Sequence, residues 1–318
     1  MSNKTDIMVT VCIVTYNQEQ WIRQTIESVL AQQTNFSYEV IIGEDCSTDN
    51  TFNICNKYQK IYPNLVQVIH NNPNLGLMRN LQKVLSSAKG RYIALCAGDD
   101  YWCDINKLQK QVDYLASHPD YGVVFTAGYT LTDGKLIPHA PAMGAYHNGD
   151  MSKESIEYTV GYASSVMYRS NLLKYIDIEE YLQNGIFFED YIMYAIFSMH
   201  TYFAFIEDKT MVYRIIKKSL SHSLFNIGYA ESWANTRRYL QHKYPERCHY
   251  NLAEVDDSVN YTKLKRAIFD GCYLDATNAR NAIKSSKYKS KIYTKWLKGR
   301  ISFRLLHIQM RLRTSLSL

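Results

Sequence analysis

Two adjacent carboxylates, Asp99 and Asp100, follow the apolar run Arg91-Tyr-Ile-Ala-Leu-Cys96 and precede two aromatic residues, Tyr101 and Trp102. Paired acids where a buried strand surfaces suit a hard divalent cation, which takes oxygen ligands and commonly sits between a carboxylate and phosphates. Gly98-Asp-Asp is also an ordinary turn sequence, and on this segment alone both readings stand. A second acid pair, Glu189-Asp190, opens an apolar stretch. One of these carboxylates could take a proton from a hydroxyl as a general base. Two acids at a helix start also simply complement its dipole, and spacing alone favours that reading. Adjacent helical side chains diverge by about 100°, so the two would not share one proton.

The elements that must position these groups alternate. Thr10-Val-Cys-Ile-Val-Thr15 reads as a buried strand, and residues 19–32 as a helix with Trp21, Ile22, Ile26, Val29 and Leu30 on its apolar side. Strands at 38–43, 65–69 and 92–96 are separated by helices ending near 62 and 88, the first after the cap-rich loop Asp45–Thr51. This β-α-β-α-β-α-β order implies a mostly parallel sheet covered on both faces. Its β-to-α loops, residues 15–18, 44–50, 71–79 and 97–104, should share the edge where such sheets bind ligands. Neither a Gly-x-Gly-x-x-Gly fingerprint nor a Walker A loop is present, so phosphates need another anchor, for which a metal is the candidate. After Trp102 the alternation weakens. A helix is expected at 106–117, strands at 122–128 and 163–168, a helix at 187–199, a short strand at 210–214, and helices from about 225.

The chain has 318 residues, 46% hydrophobic and 21% charged, enough for a large folded domain with an extension. No apolar run reaches bilayer-spanning length, and the polar start implies no signal peptide, hence a cytoplasmic protein. Seven cysteines without a Cys-x-x-Cys pair fit reduced thiols and make a zinc site a poor expectation. The net charge of +6 is unevenly spread: Thr277–Leu318 carries eleven Lys or Arg and no acid, leaving an acidic excess in the rest. Residues 292–313 read as a helix with two apolar stripes, Leu297, Ile301, Leu305, Ile308 and Leu312 on one side and Trp296, Phe303, Leu306 and Met310 on the other. One stripe could pack on the catalytic domain while the other meets an anionic membrane surface. Packing against a second subunit, as a homodimer, is the alternative. No nucleic-acid-binding module is present.

Six segments in order resemble the family 2 glycosyltransferases, enzymes with the GT-A fold. They are Val11-Cys-Ile-Val-Thr-Tyr-Asn17, Glu44-Asp-Cys-Ser-Thr-Asp-Asn-Thr51, Asn74-Leu-Gly-Leu-Met-Arg-Asn80, Gly98-Asp-Asp-Tyr-Trp102, Glu189-Asp190, and Tyr213-Arg214 with Ser219 and Ser221. The Gly98 segment departs from the family pattern: the Asp-x-Asp triplet falls here on Ala97, Gly98 and Asp99, so the first acid is missing.

The resemblance implies an α/β, GT-A type, Rossmann-like, mostly parallel sheet with helices on both faces and a helical C-terminal extension. Residues 1–224 would form the catalytic domain, with 1–104 the nucleotide-sugar half and 105–224 the acceptor side, and 225–318 the basic extension. It implies a nucleoside-diphosphate sugar donor, a UDP-sugar favoured, contacted by Thr15, Tyr16, Asn17, Asp45, Arg79, Asp99 and Arg214. Tyr16 would offer a stacking face, and Asp45 an acceptor for a uracil-type N–H. Asp99 would hold Mg²⁺ or Mn²⁺, with Asp100 a secondary ligand; a metal-free route would lean on Arg214, Lys217 or Lys218. Asp190 would be the base, oriented by Glu189, in an inverting transfer to a glycan or lipid-linked saccharide. Tyr101 and Trp102 are either a platform for a sugar face or core, and His200 and His222 are structural. The implied setting is a bacterial enzyme peripheral to the inner face of the cytoplasmic membrane. Ala97 leaves a rival: a nucleotide-sugar-binding protein with impaired catalysis.

Overall fold

The computed structural model describes residues 6–139, 149–151, 162–216 and 226–284, with 307, 308, 310 and 311. The expected alternation is present. Strands β1 (Val9–Thr15), β2 (Tyr38–Glu44), β3 (Val66–His70) and β4 (Tyr92–Ala97) lie parallel in the order β3-β2-β1-β4. Helices α1 (Ile22–Leu30), α2 (Thr51–Ile61) and α3 (Leu77–Ser87) connect them. The strands are apolar on both faces because both are covered. Val9, Val11 and Ile13 pack with Ile22, Ile26, Val29 and Ile54, while Cys12 and Ile41 pack with Leu81, Val84 and Leu85.

Beyond β4 the sheet continues with mixed polarity. The two-residue β5 (Tyr101–Trp102) and helix α4 (Lys107–Ser117) come first, then β6 (Tyr121–Thr132) and its hairpin partner β7 (Lys135–His139). The hairpin turns at Asp133-Gly134, both with positive φ, the geometry that two-residue turns require. β8 is Gly149–Met151, β9 Met167–Arg169 and β10 Tyr202–Arg214. The full order is β3-β2-β1-β4-β9-β6-β10-β5, with β9 antiparallel to β4 and β6, and β10 parallel to β6.

Two strand expectations are corrected. Residues 163–165 form a 3-10 turn, and the strand is confined to Met167–Arg169, because Ser164 and Ser165 spend their hydroxyls on Asp100 and on the Tyr162 carbonyl. The short strand expected at 210–214 is the second half of a thirteen-residue strand. Its register slips between Ile206 and Met211, where Glu207, Asp208 and Lys209 interrupt the apolar pattern that would have revealed the first half.

The chain divides into two compact units, Met1–Ile178 with Phe188–Ile215, and Glu179–Phe187 with Ile216–Leu318. Residues 179–187 thus go with the helical unit, although the expected boundary at 224 put them in the catalytic domain. Within that second unit, the Phe187 amide donates to Ser232 Oγ at 2.9 Å, and Asn235 Nδ2 to the Gly185 carbonyl at 3.1 Å. Its helices include Ile227–Lys243, Leu252–Asp270 and Tyr273–Ala282. Asn226 and Asn251 cap the first two. Gly271, left-handed at φ 79°, ends the second.

Most of the expected tail helix, with Lys217, Lys218, Ser219, Ser221 and His222, lies outside the described residues. Of the tail stripes, Met310 packs against Leu264, Ala267 and their neighbours, whereas Ile308 is 46% exposed. No described helix is long and apolar enough to cross a membrane. The seven cysteines are all free.

Under the Asp99 turn lies a buried cation. Lys107 has no exposed surface; its Nζ donates to Gln111 Oε1 at 2.5 Å and sits 4.7 Å from the Trp102 ring centroid. Burial pushes its ammonium down to about 7 from 10.5. Between those values the unfolded chain holds a proton that the folded chain has lost, so this group makes stability rise with pH from about 7 to 10.5, and its burial cost is fully present below about 7. Lys107→Met should therefore gain stability relative to wild type as pH falls through this window, with the difference levelling off below about 7. Urea unfolding midpoints at about pH 6 and pH 9.5 check this; a difference independent of pH refutes it.

Candidate active site

At the carboxyl edge of the sheet, the loops after β1 and β2 are laced together. The Asn17 amide donates to Ser47 Oγ at 2.9 Å, and Asn17 Oδ1 accepts from the Thr48 amide at 2.8 Å. The Gln18 amide donates to Thr51 Oγ1 at 2.8 Å, and Glu19 and Asp49 exchange bonds with the facing backbone. Asn17 adopts φ 53°, a left-handed conformation that Asn tolerates better than most residues. Thr15 is buried, donating its hydroxyl to Gln18 Oε1 at 2.7 Å, and Tyr16 stands 46% exposed on the same edge.

The turn after β4 is pressed against that loop. The Gly98 amide donates to the Val14 carbonyl at 3.1 Å. A β-carbon on Gly98 would lie 2.3 Å from Gln18 Oε1 and 2.7 Å from Thr15 Oγ1, so only glycine fits. From α1, the buried Thr25 hydroxyl reaches the carbonyls of Gly98 at 2.9 Å and Asp100 at 2.6 Å. From the end of β10, the Arg214 amide donates to Asp100 Oδ1 at 3.0 Å, while its guanidinium donates to the Asp99 carbonyl and to Gln24 Oε1 and lies over the Tyr101 ring.

The two acids of the turn therefore differ. Asp100 is 2% exposed, its other oxygen accepting from Ser164 Oγ at 2.6 Å. Burial, and then the Asp99 charge, push its carboxyl up. The secondary ligand role expected of Asp100 is corrected: both oxygens hold the turn to Ser164 and Arg214. Asp99 keeps a partly exposed carboxylate, raised by burial against the opposing pull of Arg214 and a hydrogen bond from Gln18. No cluster of three acid, His or Cys ligands occurs among the described residues. A single carboxylate fits a Mg²⁺-like ion that draws its other ligands from a diphosphate and water, and not an all-protein cage. Trp102 is core: 4% exposed, with Nε1 donating to the Ser164 carbonyl at 3.0 Å.

Asp45 differs from expectation too. It is 3% exposed, and its carboxylate accepts from Asn71 Nδ2 at 3.0 Å, the Leu75 amide at 2.9 Å and the Gly76 amide at 2.8 Å. It is occupied in fixing the 71–76 loop ahead of α3, and that loop carries Arg79 to an exposed place on the first turn. Asn80 reinforces the join, donating to the Gly43 carbonyl at 2.9 Å.

Glu189 and Asp190 open the helix Glu189–Ser198, whose Met193, Tyr194 and Phe197 pack in one cluster with Leu95, Phe125 and Tyr168. Asp190 Oδ1 accepts from the Tyr191 amide at 2.7 Å. Burial lifts both carboxyls; for Glu189 the neighbouring Asp190 charge adds to it, bringing it to about 7. Asp190 is thus shifted toward the range a base at neutral pH needs. Its first-turn position also agrees with the dipole reading.

The structure thus brings Thr15, Asn17, Asp99, Asp100 and Arg214 into one hydrogen-bonded assembly, joined to Asp45 through the β1 and β2 loops; the Asp45 amide donates to the Thr15 carbonyl at 3.1 Å. Sequence reading missed Gln18, Gln24, Thr25 and Ser164. The signal for Ser164 was available, as two serines inside the otherwise apolar stretch 160–167. Asp45→Ala should leave the Leu75 amide without its acceptor, while the Gly76 amide keeps Asn74 Oδ1 and Asn71 Nδ2 keeps Asn80 Oδ1, for a loss of about 1–3 kcal/mol. Gly98→Ala should force the β4 turn off Thr15, destabilising by about 1–3 kcal/mol. Urea unfolding of the two variants measures both; midpoints within error of wild type refute these roles.

Residues 10–176 match the family model described as glycosyl transferase family 2. An uncharacterised protein of Mycobacterium tuberculosis is 48% identical over 112 residues, which cover 35% of this chain and 32% of that protein. The Escherichia coli UDP-Glc:alpha-D-GlcNAc-diphosphoundecaprenol beta-1,3-glucosyltransferase WfaP is 38% identical over 108 residues, 34% of this chain and 41% of its own. The chain thus spans about a third to two-fifths of the length of these two relatives. Among solved structures, S. aureus TarS 1-349 in complex with UDP-GlcNAc shares the fold, with a TM-score of 0.59 at 17% identity over 96% of this chain and 89% of that one. The family match covers the parallel half-sheet and the Gly98–Asp100 turn and more than half of the chain, so this chain belongs to glycosyl transferase family 2.

Proposed function

We propose that the chain moves a sugar from a nucleoside-diphosphate donor, a UDP-sugar favoured, to a hydroxyl of a cell-surface glycan or lipid-linked acceptor, inverting the anomeric centre. The observation that carries this is the closure of the β1, β2 and β4 loops and Arg214 around the half-buried Asp99. Tyr16 supplies an exposed ring at that edge for a base. Asp99 would hold Mg²⁺ or Mn²⁺, which when bound supplies Lewis-acid stabilisation of the departing diphosphate. Arg214 fixes the turn and brings a positive charge to the same side. Asp190, ionised, takes the acceptor proton, with Glu189 beside it to orient it. The acceptor in the name of WfaP, an alpha-D-GlcNAc-diphosphoundecaprenol, supports the lipid-linked form of the proposal.

Thermal shift with UDP-, GDP- and dTDP-sugars should show a UDP-sugar stabilising the protein more with Mn²⁺ than without, and Asp99→Asn should lose the Mn²⁺ increment. Asp190→Asn should bind donor normally and release nucleoside diphosphate at least tenfold more slowly. Because burial raises the Asp190 carboxyl above the usual carboxylate range, hydrolysis in the wild type should fall with decreasing pH at a higher pH than an ordinary carboxylate base would give, and Asp190→Asn should remove that limb. Donor binding with no hydrolysis in the wild type would instead support the impaired-catalysis reading suggested by Ala97.

The enzyme is further proposed to work in the cytoplasm, peripheral on the inner face of the cytoplasmic membrane, through its basic tail. Flotation with vesicles containing anionic lipid should carry 1–318 and leave 1–276 behind. Equal flotation sinks the membrane role, and a dimer lost on truncation would assign the tail to subunit contact.

A further inference from the structure

A cavity of about 480 Å³ opens at the edge of the sheet opposite the candidate active site, against the starts of β6 and β10 and the end of β9. Its position is set by register: Arg169 on its wall pairs with Tyr92 at the start of β4, seven residues before Asp99, so about 20 Å separates it from the candidate active site. The floor is fixed. Arg169 donates to the carbonyls of Tyr121 at 2.9 Å and Leu115 at 2.6 Å. The Asp120 carbonyl accepts from the Tyr202 amide at 3.3 Å and the Thr201 hydroxyl at 3.1 Å. Gly122 has no side chain where Thr201 packs, since a β-carbon there would stand 2.5 Å from its hydroxyl. Around this floor stand Tyr202, 57% exposed, the parallel stack of Tyr175 on His200, and the polar side chains of Asp120, Asn171 and Lys174.

We infer that this groove binds a glycan strand, holding a growing acceptor chain at a distance from the point of transfer. The chemistry is that of sugar recognition. The exposed Tyr202 ring offers a surface to the C–H side of a pyranose, beside the Tyr175–His200 stack. A carboxylate, an amide and an ammonium at the rim can pair with hydroxyls, and a rigid floor limits the ordering cost. A cavity for a small apolar ligand would be more enclosed by apolar side chains than this one. At roughly 5 Å per sugar, a strand seated here reaches the Asp99 edge after about four or five units, given the sheet's rise of about 3.3 Å per residue. The inference rests on the glycosyltransferase reading, and binding is measured apart from transfer so that the two can fail separately.

The test is ligand-observed NMR on the full chain with three hexasaccharides, chitohexaose, laminarihexaose and hexagalacturonate, alongside donor binding by thermal shift. At least one hexamer should bind. Tyr202→Ala and Asn171→Ala should each weaken it tenfold or more, Tyr202→Trp should retain it, and all three variants should bind the UDP-sugar as wild type does. No binding of any hexamer, or binding that survives Tyr202→Ala, overturns the inference. Hexamer binding without donor binding would leave the groove standing and the transferase reading in error.

Discussion

The active edge depends on one junction, the grip of Arg214 on the Gly98–Asp100 turn. Arg214 ends β10, which follows the parallel half of the sheet by a hundred residues, and the turn ends β4. Its backbone amide meets one oxygen of Asp100 while Ser164 meets the other, and its guanidinium bridges the Asp99 carbonyl to Gln24 on α1. Three distant stretches of chain thus converge on two consecutive residues. The burial of Asp100 is tolerated because each oxygen has a donor; an unpaired buried carboxylate would be far costlier. With Asp100 turned inward, Asp99 is the less buried carboxylate of the pair.

The first hundred residues were legible because their pattern is local. Apolar runs of strand length alternate with helical stripes, and the capping-rich loops between them announce themselves. The carboxyl-edge clustering of those loops followed from topology alone, and the hydrogen bonds between Asn17 and Ser47 and between Gly98 and Val14 bear it out. The roles of particular acids were less legible. Asp45 and Asp100 have the residue type that ligand binding needs, yet their partners are backbone amides and a serine far away in sequence, which no spacing rule reveals. The strand from Tyr202 to Arg214 was half hidden by three charged residues at its register slip. The direction in which Trp102 faces is set by Ser164 and Lys107, neither of which is near enough in pattern to mark it.

Polar groups beneath the edge form a buried layer. Lys107, Gln111, Ser165, Thr126 and Thr210 link α4, β6, β10 and the 163–165 turn by hydrogen bonds. Such a layer contributes little net stability for its cost in desolvation, but it permits few alternative packings. Here it lies directly below the β5 segment that carries Tyr101 and Trp102. The choice of a lysine, where a methionine would fill a similar space, sets the orientation of Gln111 and of the Ser165 carbonyl.

The lacing of residues 17–19 to 47–51 has a consequence for the encounter with a donor. Loops that must be ordered by their ligand surrender conformational entropy at the moment of binding, and affinity falls by that amount. Here the two loops have ordered one another already, through backbone amides on one side and Asn, Ser, Thr and Asp side chains on the other. A ligand arriving at this edge would meet a stiff lattice whose shape is fixed in advance.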